Sequence, residues 1–108
     1  IAKALRFIAD NTHEQIRVRD VVAAVSTNRR FLERRFRESL NRSIADEITR
    51  LRLERAKRQM VGTSASMKDV AADSGFRNAD HFYKVFSRVE GISPTRFRAE
   101  RQKVFLKD

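Results

Sequence analysis

The chain has 108 residues, which is enough for one domain with a modest core or for two very small lobes. Its 24 Lys and Arg against 14 Asp and Glu give a net charge of +10, which predicts an anionic partner, either nucleic acid or an acidic membrane surface. The absence of Cys excludes disulfides and thiolate zinc sites, and the two histidines, His13 and His81, lie far apart. We therefore expect no metal and no cofactor. No apolar run approaches the roughly 20 residues of a membrane span and nothing resembles a signal peptide, so a cytoplasmic location is expected.

The composition favours helices throughout. One Pro and three Gly accompany many Arg, Ala, Leu and Glu, and no stretch alternates apolar and polar residues as strands do, so an all-α fold is predicted. An amphipathic helix is predicted from Ala2 to Asn11. The segment from Val18 to Val25 is apolar at helical spacing, with Asp20 in its first turn. Its β-branched residues would also suit a strand, but its short separation from the next helix is typical of a helix-turn-helix.

An arginine-rich helix is predicted from Arg29 to Leu40. Asn28 is a suitable N-cap, and Asn41 can adopt the left-handed conformation that ends a helix. One face is apolar, and a basic stripe lies well away from it. The apolar face carries Leu32, Phe36 and Leu40, and the stripe carries Arg30, Glu33, Arg34 and Arg37. Such a helix suits the major groove of DNA, although charge runs on helices are more often simply solvated.

The longest predicted helix runs from Ser43 to Val61, with Ser43 as its N-cap and Asp46 completing a weakened capping box. Its apolar residues form two separate stripes. One holds Ile44, Ile48 and Leu51, and the other holds Leu53, Ala56 and Met60. We therefore expect this helix to link two lobes, with its first half packed on one and its second half on the other.

Three further helices are predicted after the flexible loop at residues 62–65. Ser66 caps the first, Asn78 caps the second, and Ser93 with Pro94 opens the last. The expected apolar residues are Met67, Val70 and Ala71 in the first helix, Phe82, Val85, Phe86 and Val89 in the second, and Phe97, Val104 and Phe105 in the third. Gly91 ends the second helix. The eight phenylalanines mostly follow helical spacing and are expected in the core rather than on a surface that stacks bases.

The second half of the chain repeats the first. A shift of 50 positions brings the residues that start, fill and end one arginine-rich helix onto those of a second helix. The matched pairs are Asn28 with Asn78, Leu32 with Phe82, Phe36 with Phe86, Asn41 with Gly91, and Ser43 with Ser93. Upstream of the turn the shift is 49, so Asp20 matches Asp69. Each copy is a short helix, a turn and a capped amphipathic helix, which indicates two helix-turn-helix lobes among seven helices.

The sequence resembles the bacterial transcription regulators grouped around the arabinose-operon activator, the AraC/XylS family. The strongest match is residues 71–76, then Phe82 and Phe86, then residues 91–94 followed by Phe97 and Arg98. Residues 32–37 and 52–57 resemble the xylose-operon regulators within that family. The sequence departs from the family at four positions: Ser26 and Asn41, where Gly is common, Ile44, where Pro is common, and Phe97, where Tyr is common. A positive φ at Ser26 would cost more than at Gly.

The resemblance implies that both second helices enter successive major grooves of one duplex. It implies base recognition by Arg30, Glu33, Arg34, Asp80, Tyr83 and Lys84, and phosphate contacts by Asn28, Arg29, Arg37, Asn78 and His81. Glu33 could accept from a cytosine amino group or pair with Arg30 or Arg37. Asp80 has the alternative role of stabilising the helix start, and His81 that of simple exposure. RNA polymerase is a further expected partner, and an effector sugar is expected to act only through an upstream domain.

Residues 1–42 and 62–108 are accordingly predicted to be the two lobes, joined by a linker at residues 43–61. The expected function is sequence-specific binding of duplex DNA in the regulation of a sugar-catabolism operon. A basic helical module that binds RNA or a membrane surface would share the charge, and a protein-interaction module would share the helices. An enzyme is not expected, because the sequence offers no carboxylate pair, activated nucleophile or phosphate-binding glycine loop.

Overall fold

The computed structural model of the chain describes residues 1–106, with side chains through residue 103. These residues form seven α-helices and no strand, which confirms the all-α prediction. The helices are α1 (Ala2–Asn11), α2 (Val18–Ala24), α3 (Arg29–Leu40), α4 (Ile44–Gly62), α5 (Met67–Asp73), α6 (Ala79–Glu90) and α7 (Pro94–Leu106). The side chains of Val104 and Phe105 lie outside the described ones. Among the described helices, none combines the length and the apolar character needed to cross a membrane.

The chain divides into two compact units, Ile1–Leu51 and Arg52–Asp108, and the division falls inside α4. Each unit has its own apolar core. The first half of α4 contributes Ile44 and Ile48 to the first core, whereas its second half contributes Leu53, Ala56 and Met60 to the second. The two stripes predicted on this helix are therefore confirmed as contacts with two different cores.

The core of the first unit is built from α1, α2, α3 and the start of α4. Ile8, Val21 and Phe36 are fully buried in it, and burying a side chain of that size contributes about 1.5–3 kcal/mol relative to exposure. The segment whose β-branched residues would have suited a strand is the helix α2. Its start is fixed by Asp20, whose Oδ2 accepts from the backbone N–H of Arg17 at 2.8 Å.

The core of the second unit is aromatic. The ring centroids of Phe76 and Phe82 lie 5.0 Å apart, those of Phe82 and Phe86 lie 5.7 Å apart, and those of Phe86 and Phe97 lie 5.3 Å apart. Tilted and edge-on pairs at such distances stabilise a core beyond their burial alone. Val89 was expected on this apolar face, but it is 53% exposed because the core cluster around Phe86 does not extend to it.

Helices α3 and α6, the second helices of the two helix-turn-helix motifs, begin and end as predicted. The Oδ1 atoms of Asn28 and Asn78 each accept a backbone N–H of the next turn at 2.8 Å. The left-handed stops are Asn41, with φ 54°, and Gly91, with φ 80°. Ser26 also has a positive φ, 52°. The strain anticipated for a non-glycine residue in the first turn is therefore present, at a cost of about 1–2 kcal/mol.

Candidate nucleic-acid interface

The basic stripe of α3 lies on the solvent side of the first unit. Arg30, Arg34 and Arg37 are exposed, while Leu32 and Phe36 on the opposite face are buried. In the part of the chain that the structure describes, the Arg30 and Arg37 guanidinium groups make no ion pair, so their donors remain available. A guanidinium group can donate two parallel hydrogen bonds to guanine or bind a phosphate oxygen. Helix α3 therefore presents a row of exposed guanidinium groups, and its N-terminus is fixed by the Asn28 cap.

Glu33 belongs to the same stripe but is directed at the next helix. Its Oε1 accepts from the backbone N–H of Ile44 at 2.9 Å, and its Oε2 lies 3.9 Å from Nε of Arg29. Of the alternatives given for Glu33, the ion pair with Arg30 or Arg37 is not the one observed, because the ion-pair partner is Arg29. The amide of Ile44 lies at the start of α4 and has no partner within that helix, so the Glu33 carboxylate satisfies its hydrogen bond. The negative charge of the carboxylate also interacts favourably with the positive end of the helix dipole.

The equivalent surface on α6 carries fewer donors. Asp80 and Lys84 are exposed, whereas Tyr83 is half-buried against the aromatic core. The Tyr83 hydroxyl lies 3.2 Å from Oγ1 of Thr95, in the first turn of α7. Tyr83 occupies the position equivalent to Glu33, and both side chains thus hold their helix against the start of the following one. Asp80 lies in the first turn of α6, where its negative charge favours the helix dipole.

The residues predicted to contact phosphates differ in the hydrogen-bond donors and the charge that they still have available. Asn28 and Asn78 use their side-chain oxygens as N-caps, but each carboxamide still carries N–H donors. His81 is half-buried with its ring against Phe76, and its Nδ1 is buried without a hydrogen bond from the described residues. Burial, followed by the nearby cations Arg77 and Arg52, lowers the pKa of His81 below its usual 6.5. In the free protein this ring is therefore neutral near pH 7 and brings no charge to a phosphate.

Two polar supports were not predicted from the sequence. Glu47 is buried and accepts from Arg42 Nη1 and from Arg50, whose Nη2 lies 2.8 Å from its Oε2. The hydrogen bond from Arg50 lowers the pKa of Glu47, as does the one from Arg42, and together they outweigh the opposing effect of burial. In the second unit, Arg98 Nε donates to the Met60 carbonyl at 3.0 Å and closes the end of α4. The sequence signal for Glu47 was its match with Phe97 in the repeat, which marks position 47 as buried.

Similarity to known proteins agrees with this arrangement. A family profile described as a helix-turn-helix domain matches residues 21–100. The xylose operon regulatory protein of Escherichia coli K12 is 27% identical over 106 residues, which cover 98% of this chain and 27% of that protein. The DNA-binding domain of AdpA, a global transcriptional factor solved in complex with a target DNA, superposes with a TM-score of 0.90 at 26% identity over 99% of this chain and 96% of that one. The chain belongs to the AraC family of helix-turn-helix DNA-binding domains.

A second sugar-operon regulator is among the relatives. The melibiose operon regulatory protein of Escherichia coli K12 is 28% identical over 98 residues, which cover 91% of this chain and 32% of that protein. The chain thus spans about a third or less of the length of these xylose and melibiose operon regulators. As an AraC-type domain it supplies DNA binding, and α3 and α6 are the second helices of its two helix-turn-helix motifs.

Proposed function

We propose that this domain binds duplex DNA sequence-specifically, with α3 and α6 in successive major grooves, as part of a transcription regulator of a sugar-catabolism operon. The observation that carries the proposal is the stripe of exposed guanidinium groups on α3, held opposite the buried side chains of Leu32 and Phe36. The crystal structure of the similar AdpA domain with a target DNA supports the DNA contact. The xylose and melibiose operon regulators among the relatives support the sugar operon.

Within this proposal the predicted site residues divide by role. Arg30, Arg34, Asp80 and Lys84 are exposed and are proposed to contact bases. The proposed phosphate contacts are Asn28, Arg29, Arg37, Asn78 and His81, the last as a neutral donor. Glu33 and Tyr83 are proposed to position α3 and α6, because each is already engaged with the start of the next helix. RNA polymerase is proposed as a protein partner, with an effector sugar acting through another domain.

Selection of binding sites from random duplex DNA at fixed salt tests the proposal. A preferred site with two boxes is expected, since each unit carries one helix of the required kind. Recovery of no preferred duplex sequence would instead favour an RNA-binding or a protein-interaction module. The salt concentration has to be constant throughout, because the phosphate contribution to affinity depends steeply on it.

Substitutions in the two equivalent positions separate base recognition from phosphate contact. Arg34→Ala is expected to cost about 1–3 kcal/mol on the preferred site, much less on unrelated DNA, and to relax the preference within one box. Lys84→Ala, the matched change on α6, is expected to weaken all sequences more evenly, because a lysine offers no bidentate fork. Repeating the selection with each variant measures both effects. A wild-type motif bound uniformly more weakly by Arg34→Ala would make Arg34 a phosphate contact.

A further inference from the structure

Phe31 is a large apolar side chain in the first turn of α3 that the first core does not cover. It is 42% exposed, whereas Leu32 and Phe36 on the same helix are buried. Its backbone N–H donates to the Asn28 side chain, so the residue is fixed at the capped start of the helix. Exposing this much apolar surface is unfavourable in the free protein. An apolar contact in the bound state would remove that surface from water.

The ring is also part of the basic stripe. The guanidinium carbon of Arg34 lies 5.9 Å from the centre of the Phe31 ring, at the outer limit for a cation–π contact. Arg34 is one turn further along α3 and is itself a proposed base contact. An apolar group and a bidentate donor therefore lie side by side on the exposed surface of the same turn.

We propose that Phe31 determines specificity by contacting the 5-methyl group of a thymine next to the base pair that Arg34 contacts. In the major groove the thymine methyl is the group that distinguishes this base by an apolar contact, and phenylalanine is among the side chains that make it. The N-terminal residues of a helix-turn-helix recognition helix are those that contact base edges. This inference rests on the proposed insertion of α3 into the major groove.

The equivalent position on α6 does not offer the same contact. It is occupied by His81, whose ring is turned against Phe76 with the ring centres 6.0 Å apart. His81 is half-buried and provides no exposed apolar ring comparable to Phe31. A methyl-dependent thymine preference is therefore expected in the box bound by the first unit and not at the matching place in the other box.

Replacing single thymidines of the selected site by deoxyuridine tests the inference, because this change removes only the methyl group. The affinity of the wild-type chain, measured by fluorescence anisotropy of labelled duplexes, is expected to fall about four-fold at one position in the first unit's box. Phe31→Ala is expected to bind the thymine and uracil duplexes equally well, and Phe31→Leu to retain part of the difference. Val89→Ala, which removes another exposed apolar side chain, is the control and is expected to leave the full difference in place.

Three results would overturn the inference. Wild-type affinity could be indifferent to deoxyuridine at every position, or the deoxyuridine effect could persist unchanged in Phe31→Ala. Alternatively, Phe31→Ala could lose only the preference at the base contacted by Arg34, in which case the ring merely orients that guanidinium group. A failure of the proposed function is distinguishable from all three, because the wild-type chain would then select no preferred duplex at all.

Discussion

The two copies of the helix-turn-helix begin and end their helices by the same means but attach the following helix by different chemistry. In the first copy the start of α4 is fixed by polar groups: the Ile44 amide donates to Glu33 on α3, and Glu47 pairs with Arg42 in the connecting turn and with Arg50 on α4 itself. In the second copy the start of α7 meets α6 through rings, with Phe86 against Phe97 and Tyr83 beside Thr95. Glu47 and Phe97 occupy matching positions of the repeat.

This difference shows that a repeat can keep its backbone while replacing the type of interaction that holds it. A buried carboxylate needs all its hydrogen-bond partners, and its contribution depends on pH. An aromatic cluster depends on packing and is insensitive to pH. We therefore expect the first unit to be the more sensitive to acid and the second to be the more sensitive to loss of volume.

The largest expected effect is on the second unit. Phe97→Ala removes a buried ring from the contact with Phe86 and should lower the free energy of unfolding by about 3–5 kcal/mol. Tyr83 is the single tyrosine, and the chain has no Trp, so tyrosine fluorescence during urea denaturation reports on the second unit alone. The expected result is a shift of the Tyr83 transition to lower urea.

Phe31→Ala is the matched control for Phe97→Ala, because it makes the same chemical change at an exposed site in the other unit. It should change stability by no more than about 0.5 kcal/mol and leave the Tyr83 transition where it was. Equal losses in the two variants would mean that the aromatic cluster does not dominate the second unit.

A smaller effect is expected from Glu47→Gln in the first unit. At neutral pH the loss of its charge-assisted hydrogen bonds to Arg50 and Arg42 should cost about 1–3 kcal/mol. The folded pKa of Glu47 lies below its ordinary 4.5, so the wild-type contribution is fully present above pH 4.5 and is lost as the pH falls through the lowered folded value. The Glu47→Gln variant should therefore lose less stability than the wild type as the pH falls below 4.5.

Far-ultraviolet circular dichroism recorded together with Tyr83 fluorescence measures this difference. A change seen in the first signal and not in the second belongs to the first unit. Glu38→Gln, which neutralises an exposed glutamate on α3, is the control and should retain the wild-type acid response. If Glu47→Gln also keeps that response, the Arg42–Glu47–Arg50 cluster does not confer the acid sensitivity.

The sequence predicted the fold well because local signals determined it. Caps at Asn28 and Asn78, stops at Asn41 and Gly91, and the two stripes of α4 are all encoded by residue type and spacing. These are properties of single turns of helix, which a sequence shows directly. Val89 was misplaced because periodicity says which face a residue lies on, but not where the neighbouring core ends.

The candidate site could be predicted only in outline. The exposed stripe of Arg30, Arg34 and Arg37 follows from helical periodicity alone. The partner of Glu33 depends on how the start of α4 packs on α3, which is tertiary information. The pairing of Glu47 with Arg50 follows an i,i+3 spacing that the sequence shows, whereas the burial of Glu47 does not follow from that spacing. The exposure of Phe31 was missed for the same reason, since a phenylalanine beside an apolar face is expected to join the core.

The smallest expected effect concerns the contact between Glu33 and α4, and it tests whether the two copies differ for a stated reason. Glu33→Ala leaves the Ile44 amide without its acceptor and should cost about 1 kcal/mol. In the second copy Pro94 stands at the position of Ile44 and has no N–H to satisfy. The cost of Glu33→Ala should therefore disappear when it is measured in an Ile44→Pro background. Ile44→Pro will itself disturb the core, so only the difference between the two Glu33→Ala effects is used.

A cost of Glu33→Ala that is the same in both backgrounds would disprove the capping role. If Glu33→Ala instead keeps wild-type stability and changes the base preference in one box, Glu33 is a base contact, as its place on the arginine stripe suggests.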